Sequence, residues 1–222
     1  MLWNAAAILF AVQITWAAPF ADPHGPRVAP LRDPPPVELV ASDRFGFRDE
    51  FLASVGSEVL AILRTVGIDA TWLTEQQREA EAMSPRRQVV ADSFLVVFTG
   101  KPPLAWGVKR RAMGTVVPAV HHPRRRVIVF PARVLRVLDA DRPAGRPPAD
   151  TYHLETARAL ARVVVHELIH ALAPQHSHAE HGLMRGTLNR RLLLGDELPI
   201  DAACRVAISS ALQLLSVDAG GS

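Results

Sequence analysis

Two histidines four positions apart, with a glutamate between them, form the stretch His166-Glu167-Leu168-Ile169-His170. On a helix such histidines share a face one turn apart, close enough to take two corners of one metal coordination sphere. Glu167 points about one helical step round, where it can reach a water activated by the metal without binding the ion itself. The chemistry implied is that of a zinc hydrolase. By chance alone the pattern would appear in on the order of one or two per cent of chains with these His and Glu frequencies. Its surroundings therefore decide what it means.

Those surroundings predict a buried helix over Leu154 to Ala173, with Asp150 or Thr151 as cap and Pro174 as stop. Ala157, Ala161, Val165, Leu168 and Leu172 make an apolar stripe, and Val163, His166, Glu167 and His170 lie to one side of it. The bland reading is a pair of satisfied core histidines beside a surface glutamate. A buried ionised glutamate and two histidines each need partners, and a divalent cation with its water satisfies all three. A third ligand must follow, and His176, His178 and His181 are at hand, with Glu180 more remote. Cys204 is the single cysteine, so neither an intrachain disulfide nor a cysteine-based zinc cage is available.

His166 to Met184 resembles the metzincin signature of zinc peptidases, HExxHxxGxxH followed by a turn with a methionine beneath the metal. His176 falls at that family's third histidine. Ala173 stands in place of its glycine, and Met184 follows unusually soon. Both features are similar to a narrower group of short exported bacterial zincins, with the motif HExGHLLLGxxxHSxxGxMR. On that register His166, Glu167, His170, His178, Gly182, Met184 and Arg185 keep the spacing, while Ile169 and Pro174 replace glycines. The resemblance implies a zinc ion (Zn2+) held by His166, His170 and His178, with His176 as the alternative third ligand. It implies Glu167 as the catalytic base and Met184 as an apolar floor, against the bland reading of Met184 as ordinary core packing. His181 is expected at the surface.

Ahead of this site, residues 1–18 carry no charged side chain and include the apolar run Ala5 to Val12, which predicts an export signal, although a basic start is missing. An uncleaved membrane anchor is the alternative, and a buried N-terminal helix a further one. Residues 19–36 hold seven prolines and read as a linker, leaving 37–222 as the catalytic domain. Within it, strands are expected at Val37–Ala41, Ala70–Leu73, Val89–Phe98, Thr115–Val120 and Val127–Phe130, the third of them central. The last two would pair antiparallel across His121-His122-Pro123-Arg124 and present an edge to an extended peptide. His121 and His122 are adjacent, and are read as solvated turn residues in preference to ligands.

A helix is expected on Phe51, Leu52, Val55, Val59, Leu60, Leu63 and Val66, stopped by Gly67. Glu75 to Arg87 reads as a loop or surface helix, and Asp139 to Asp150 as an exposed loop. A closing helix shows Ala203, Val206, Ala207, Ala211, Leu212 and Leu215 on one side, with Cys204 as a buried small hydrophobe. The expected fold is α+β and zincin/metzincin-like: a small mixed, twisted sheet on a long helix and a buried active-site helix, with a C-terminal helix.

The pI near 9.7 accompanies a net charge of only +3. The basic residues are scattered, and Arg124-Arg125-Arg126, which lacks interleaved aromatics, reads as a solvated turn before a strand. Nucleic acid is set aside as a partner. The function expected is zinc-dependent hydrolysis of protein or peptide substrates by a periplasmic or secreted metalloendopeptidase. The alternative is a non-catalytic exported domain braced by a structural zinc. Membrane attachment is expected only if the first segment stays uncleaved, and oligomeric state is not legible.

Overall fold

The computed structural model describes residues 36–83, 92–100, 108, 111–117, 125–140, 142, 148–196 and 200–219. The expected export signal and nearly all of the expected linker lie outside these residues. So do residues 89–91 and 118–120 at the ends of two expected strands, and the turn from His121 to Arg124.

The described chain runs β1 (Val37–Arg44), α1 (Asp49–Thr65), β2 (Ala70–Thr74), α2 (Glu75–Ala82), β3 (Asp92–Thr99), β4 (Gly114–Val117), β5 (Arg125–Val129), α3 (Pro131–Ala140), α4 (Ala149–Leu172), α5 (Arg190–Leu194) and α6 (Ala202–Ala219). The strands form one mixed sheet in the order β2-β1-β3-β5-β4. β1 is parallel to β2 and β3, and β3 is parallel to β5. β4 runs antiparallel to β5, with Thr115 opposite Ile128 and Val116 opposite Val127. The central place of β3 follows from its composition, since a strand covered on both faces has no need of polar alternation. Among the described residues, the outer side of β4 is a sheet edge.

One face of the sheet is covered by α1 and α4. Leu39 and Ala41 of β1, Phe94, Val96 and Phe98 of β3, and Val127 and Val129 of β5 join the apolar sides of both helices in a single core. The opposite face carries a smaller apolar cluster of Val97, Ile128 and Phe130, and a polar corner at β1. There Glu38, nearly buried, meets Arg78 of α2 at 2.8 Å and the Ser93 hydroxyl at 2.8 Å, as a carboxylate out of water requires.

α4 is buried almost throughout from Thr156 to Leu172. Two arginines tie it in place. Arg162, 5% exposed in the middle of the helix, donates to the carbonyls of Leu192, at 2.6 Å, and Gly195, which serves the end of α5. Arg125 donates to the Ala171 carbonyl at 3.1 Å and so caps the last turn of α4 from the sheet. That contact corrects the expectation that this arginine lies in a solvated turn.

Other expectations shift. α4 begins at Ala149 on Pro148, so Asp150 and Thr151 lie in its first turn and do not cap it. α3 was not anticipated. It starts on Pro131 directly after β5, where the missing N–H costs nothing, and takes in Asp139 and Ala140 from the expected loop. α1 buries Gly56 and Ile62, while Leu60 is only half-buried. The buried side of α6 is Cys204, Ile208 and Leu212, and Val206 is 67% exposed. Among the described residues, no helix is long and apolar enough to cross a membrane.

Ile208→Ala should therefore lower the unfolding free energy by about 2–5 kcal/mol in urea titrations. Val206→Ala should change it by less than about 0.5 kcal/mol. Equal losses would return the buried side of α6 to the Ala203 and Val206 face.

Candidate metal centre

The last turns of α4 carry His166, Glu167 and His170, and the chain after the helix returns to them. Ala173 leaves helical geometry at φ −123° and ψ 70°, which turns the chain away ahead of Pro174. Further on, the Ala179 N–H donates to the Met184 carbonyl at 2.9 Å and closes a small loop through Gly182. Gly182 has φ +74°, a conformation that side chains disfavour. This loop is what brings His178 back over the helix.

The result is a cluster of three imidazoles. Ring centroids lie 4.8 Å apart for His166 and His170, 4.7 Å for His170 and His178, and 5.4 Å for His166 and His178. One ligand nitrogen from each lies within 4.8 Å of the others. His170 Nε2 and His178 Nε2 are 3.1 Å apart, close to the ~3.3 Å that two nitrogens show around a tetrahedral ion with bonds of about 2.0–2.1 Å.

The surroundings suit a cation held by neutral rings. The Leu183 carbonyl lies 2.8 Å from His166 Nδ1, which fixes that ring and leaves Nε2 for the cluster. His170 hydrogen-bonds the backbone of His176. Burial lowers the His166 pKa to about 4 and also lowers that of His170, helped in each case by the neighbouring histidines. Neutral imidazole is the form that binds metal. Burial acts on Glu167 in the opposite direction and pushes its carboxyl up to about 7.

His176 stands outside the cluster. It is half-buried, and its Nε2 has no hydrogen-bond partner among the described residues. His181 and Glu180 are exposed and also lie apart. Met184, 1% exposed, belongs to the main core, and its turn touches the site through the Leu183 carbonyl. Two glycines complete the walls without having shown any sequence signal. A Cβ on Gly114, at the start of β4, would come within 2.6 Å of Glu167 Cγ, and one on Gly186 within 3.3 Å of His178 Cγ.

No family model and no curated protein sequence matches the chain. Two solved structures resemble it. An archaemetzincin from Methanopyrus kandleri superposes with a TM-score of 0.49 at 12% identity, covering 84% of this chain and 99% of its own. A zinc-dependent peptidase from Methanocorpusculum labreanum superposes with a TM-score of 0.47 at 14% identity, covering 78% and 99%. At such identity the chemistry has to be read from the geometry of the site itself.

The contact between Gly114 and Glu167 can be measured. Gly114→Ala should cost about 1–3 kcal/mol through overpacking. Most of that loss should vanish in a Glu167→Ala background, in a double-mutant cycle followed by denaturation. Additive losses would show that the two residues do not press on one another.

Proposed function

We propose that the chain is a zinc-dependent metalloendopeptidase with His166, His170 and His178 as ligands and Glu167 as the catalytic base. The observation that carries this reading is the convergence of three imidazoles beside a half-buried carboxylate, in a cavity of about 730 Å³. When bound, zinc supplies Lewis acidity, polarising a carbonyl and making water nucleophilic near neutral pH.

The remaining work belongs to side chains of this chain. Glu167, whose pKa near 7 makes it a competent base at neutral pH, takes a proton from the attacking water and returns it to the leaving nitrogen. Gly114 leaves that carboxylate its space. The backbone carbonyls of Leu183 and His176 hold the rings of His166 and His170 in orientation. The outer side of β4, which carries Gly114 and pairs with no further strand among the described residues, offers main-chain groups to an extended peptide. The first 18 residues are proposed as the export signal, placing the enzyme in the periplasm or outside the cell. The mass of the mature protein from its host checks this, and retention of those residues would favour a membrane anchor.

Metal analysis and peptide hydrolysis test the assignment together. Wild type should hold about one zinc per chain. His178→Ala should weaken binding sharply, while His176→Ala should retain the ion. Glu167→Ala should bind zinc and lose hydrolysis by about 10²- to 10⁴-fold. Equal hydrolysis by Glu167→Ala and wild type would overturn the catalytic role. If both were inert on a broad peptide library and chelation unfolded both, the site would be structural.

A further inference from the structure

The cavity that holds the imidazoles has a second character. Beside His166, Glu167, His170 and His178 it is lined by Arg111, Arg133, Arg136 and Arg185, and Glu167 is the only acidic residue among its described lining. These arginines do not form one solvated helical face. Arg111 precedes β4, Arg133 and Arg136 lie on α3, and Arg185 follows Met184 in the loop that positions His178.

Arg133 has a structural task. It donates to the Ala112 carbonyl and lies 4.8 Å over the Phe130 ring, which fastens the approach to β4 against α3. Arg111, Arg136 and Arg185 are different. All three are exposed, and none pairs with a carboxylate among the described residues, whereas Arg78, Arg142 and Arg190 each meet a glutamate. Arg136 even adds to the depression of the Arg133 pKa, after burial, so these two positive charges feel one another. A chain with 25 basic and 22 acidic residues has gathered one sign around one concavity. Low-dielectric walls focus such a field and attract anions.

We propose that this cleft selects peptide segments bearing glutamate or aspartate side chains near the bond presented to Glu167, with Arg111, Arg136 and Arg185 as the specificity-determining residues. The proposal rests on the peptidase reading for the nature of the ligand and adds the substrate class. Guanidinium is suited to the task because it stays charged and its planar fork matches a carboxylate. Contributions from three separate segments suit carboxylates spaced along an extended chain better than a single anion.

The test is equilibrium binding by fluorescence anisotropy, using the full-length Glu167→Gln variant loaded with zinc. The probes are labelled peptides of about ten residues, identical except for Glu, Gln or Lys at the two positions flanking a common central dipeptide. At low salt the Glu peptide should bind at least about tenfold tighter than the Gln peptide, at about fivefold per engaged arginine. The preference should shrink at about 0.5 M salt, where the screening length is about 4 Å. Arg136→Gln and Arg185→Gln should each remove about three- to fivefold of it, and the double charge reversal Arg136→Glu with Arg185→Glu should favour the Lys peptide.

Equal binding of the Glu and Gln peptides, or a preference untouched by these variants, would overturn the proposal. So would tighter binding of a single-stranded oligonucleotide than of the Glu peptide. Wild type separates the two readings. Cleavage of Glu and Gln peptides at equal rates, with equal affinity, sinks the selectivity and leaves the peptidase; charge-selective binding without cleavage does the reverse.

Discussion

Burial of α4 is the constraint on which the rest of the structure depends. A helix enclosed along most of its length brings polar groups out of water, where a charged group without a partner is costly. Arg162 meets this by serving the backbone of α5, and Arg125 meets it for the final turn of α4. At the C-terminal end the same demand falls on His166, Glu167 and His170. His166 answers with the Leu183 carbonyl and His170 with the backbone of His176. Their remaining nitrogens turn toward His178.

The same dry environment acts on unlike groups in opposite senses. It disfavours protonated imidazole at His166 and His170, which keeps those two rings able to donate lone pairs, and it disfavours the carboxylate, which raises the basicity of Glu167. A single physical cause thus prepares ligands and base together.

Much of the fold was legible in the sequence. The continuous apolar run Phe94–Phe98 marked β3, because a strand covered on both faces needs no alternation, the short β-branched stretch between Pro36 and Ser42 marked β1, and the turn expected after β4 had the signature of an antiparallel pair. α3 escaped notice because it follows β5 without a linker, and Arg133, Arg136 and Asp139 interrupt its apolar positions. α6 was rotated because alanine, valine and leucine lie on several of its sides, so periodicity alone could not pick out Cys204 and Ile208. At the site, spacing left His176 and His178 equal, and only the resemblance favoured one. What distinguishes them is the small loop closed between Ala179 and Met184, a tertiary feature. Gly114 was invisible for a related reason: its importance lies in a neighbour 53 positions away.

The three imidazoles come from one short run, His166 to His178, most of it already helical. Closing so short a loop costs little chain entropy, and an ion that closes it removes correspondingly little freedom from the unfolded chain. A cation here would act as a local fastener for the loop beyond α4, and would not staple distant parts of the sequence. The sheet and its helices owe their cohesion to apolar packing and to Arg125 and Arg162, so the scaffold stands ready before any ion arrives.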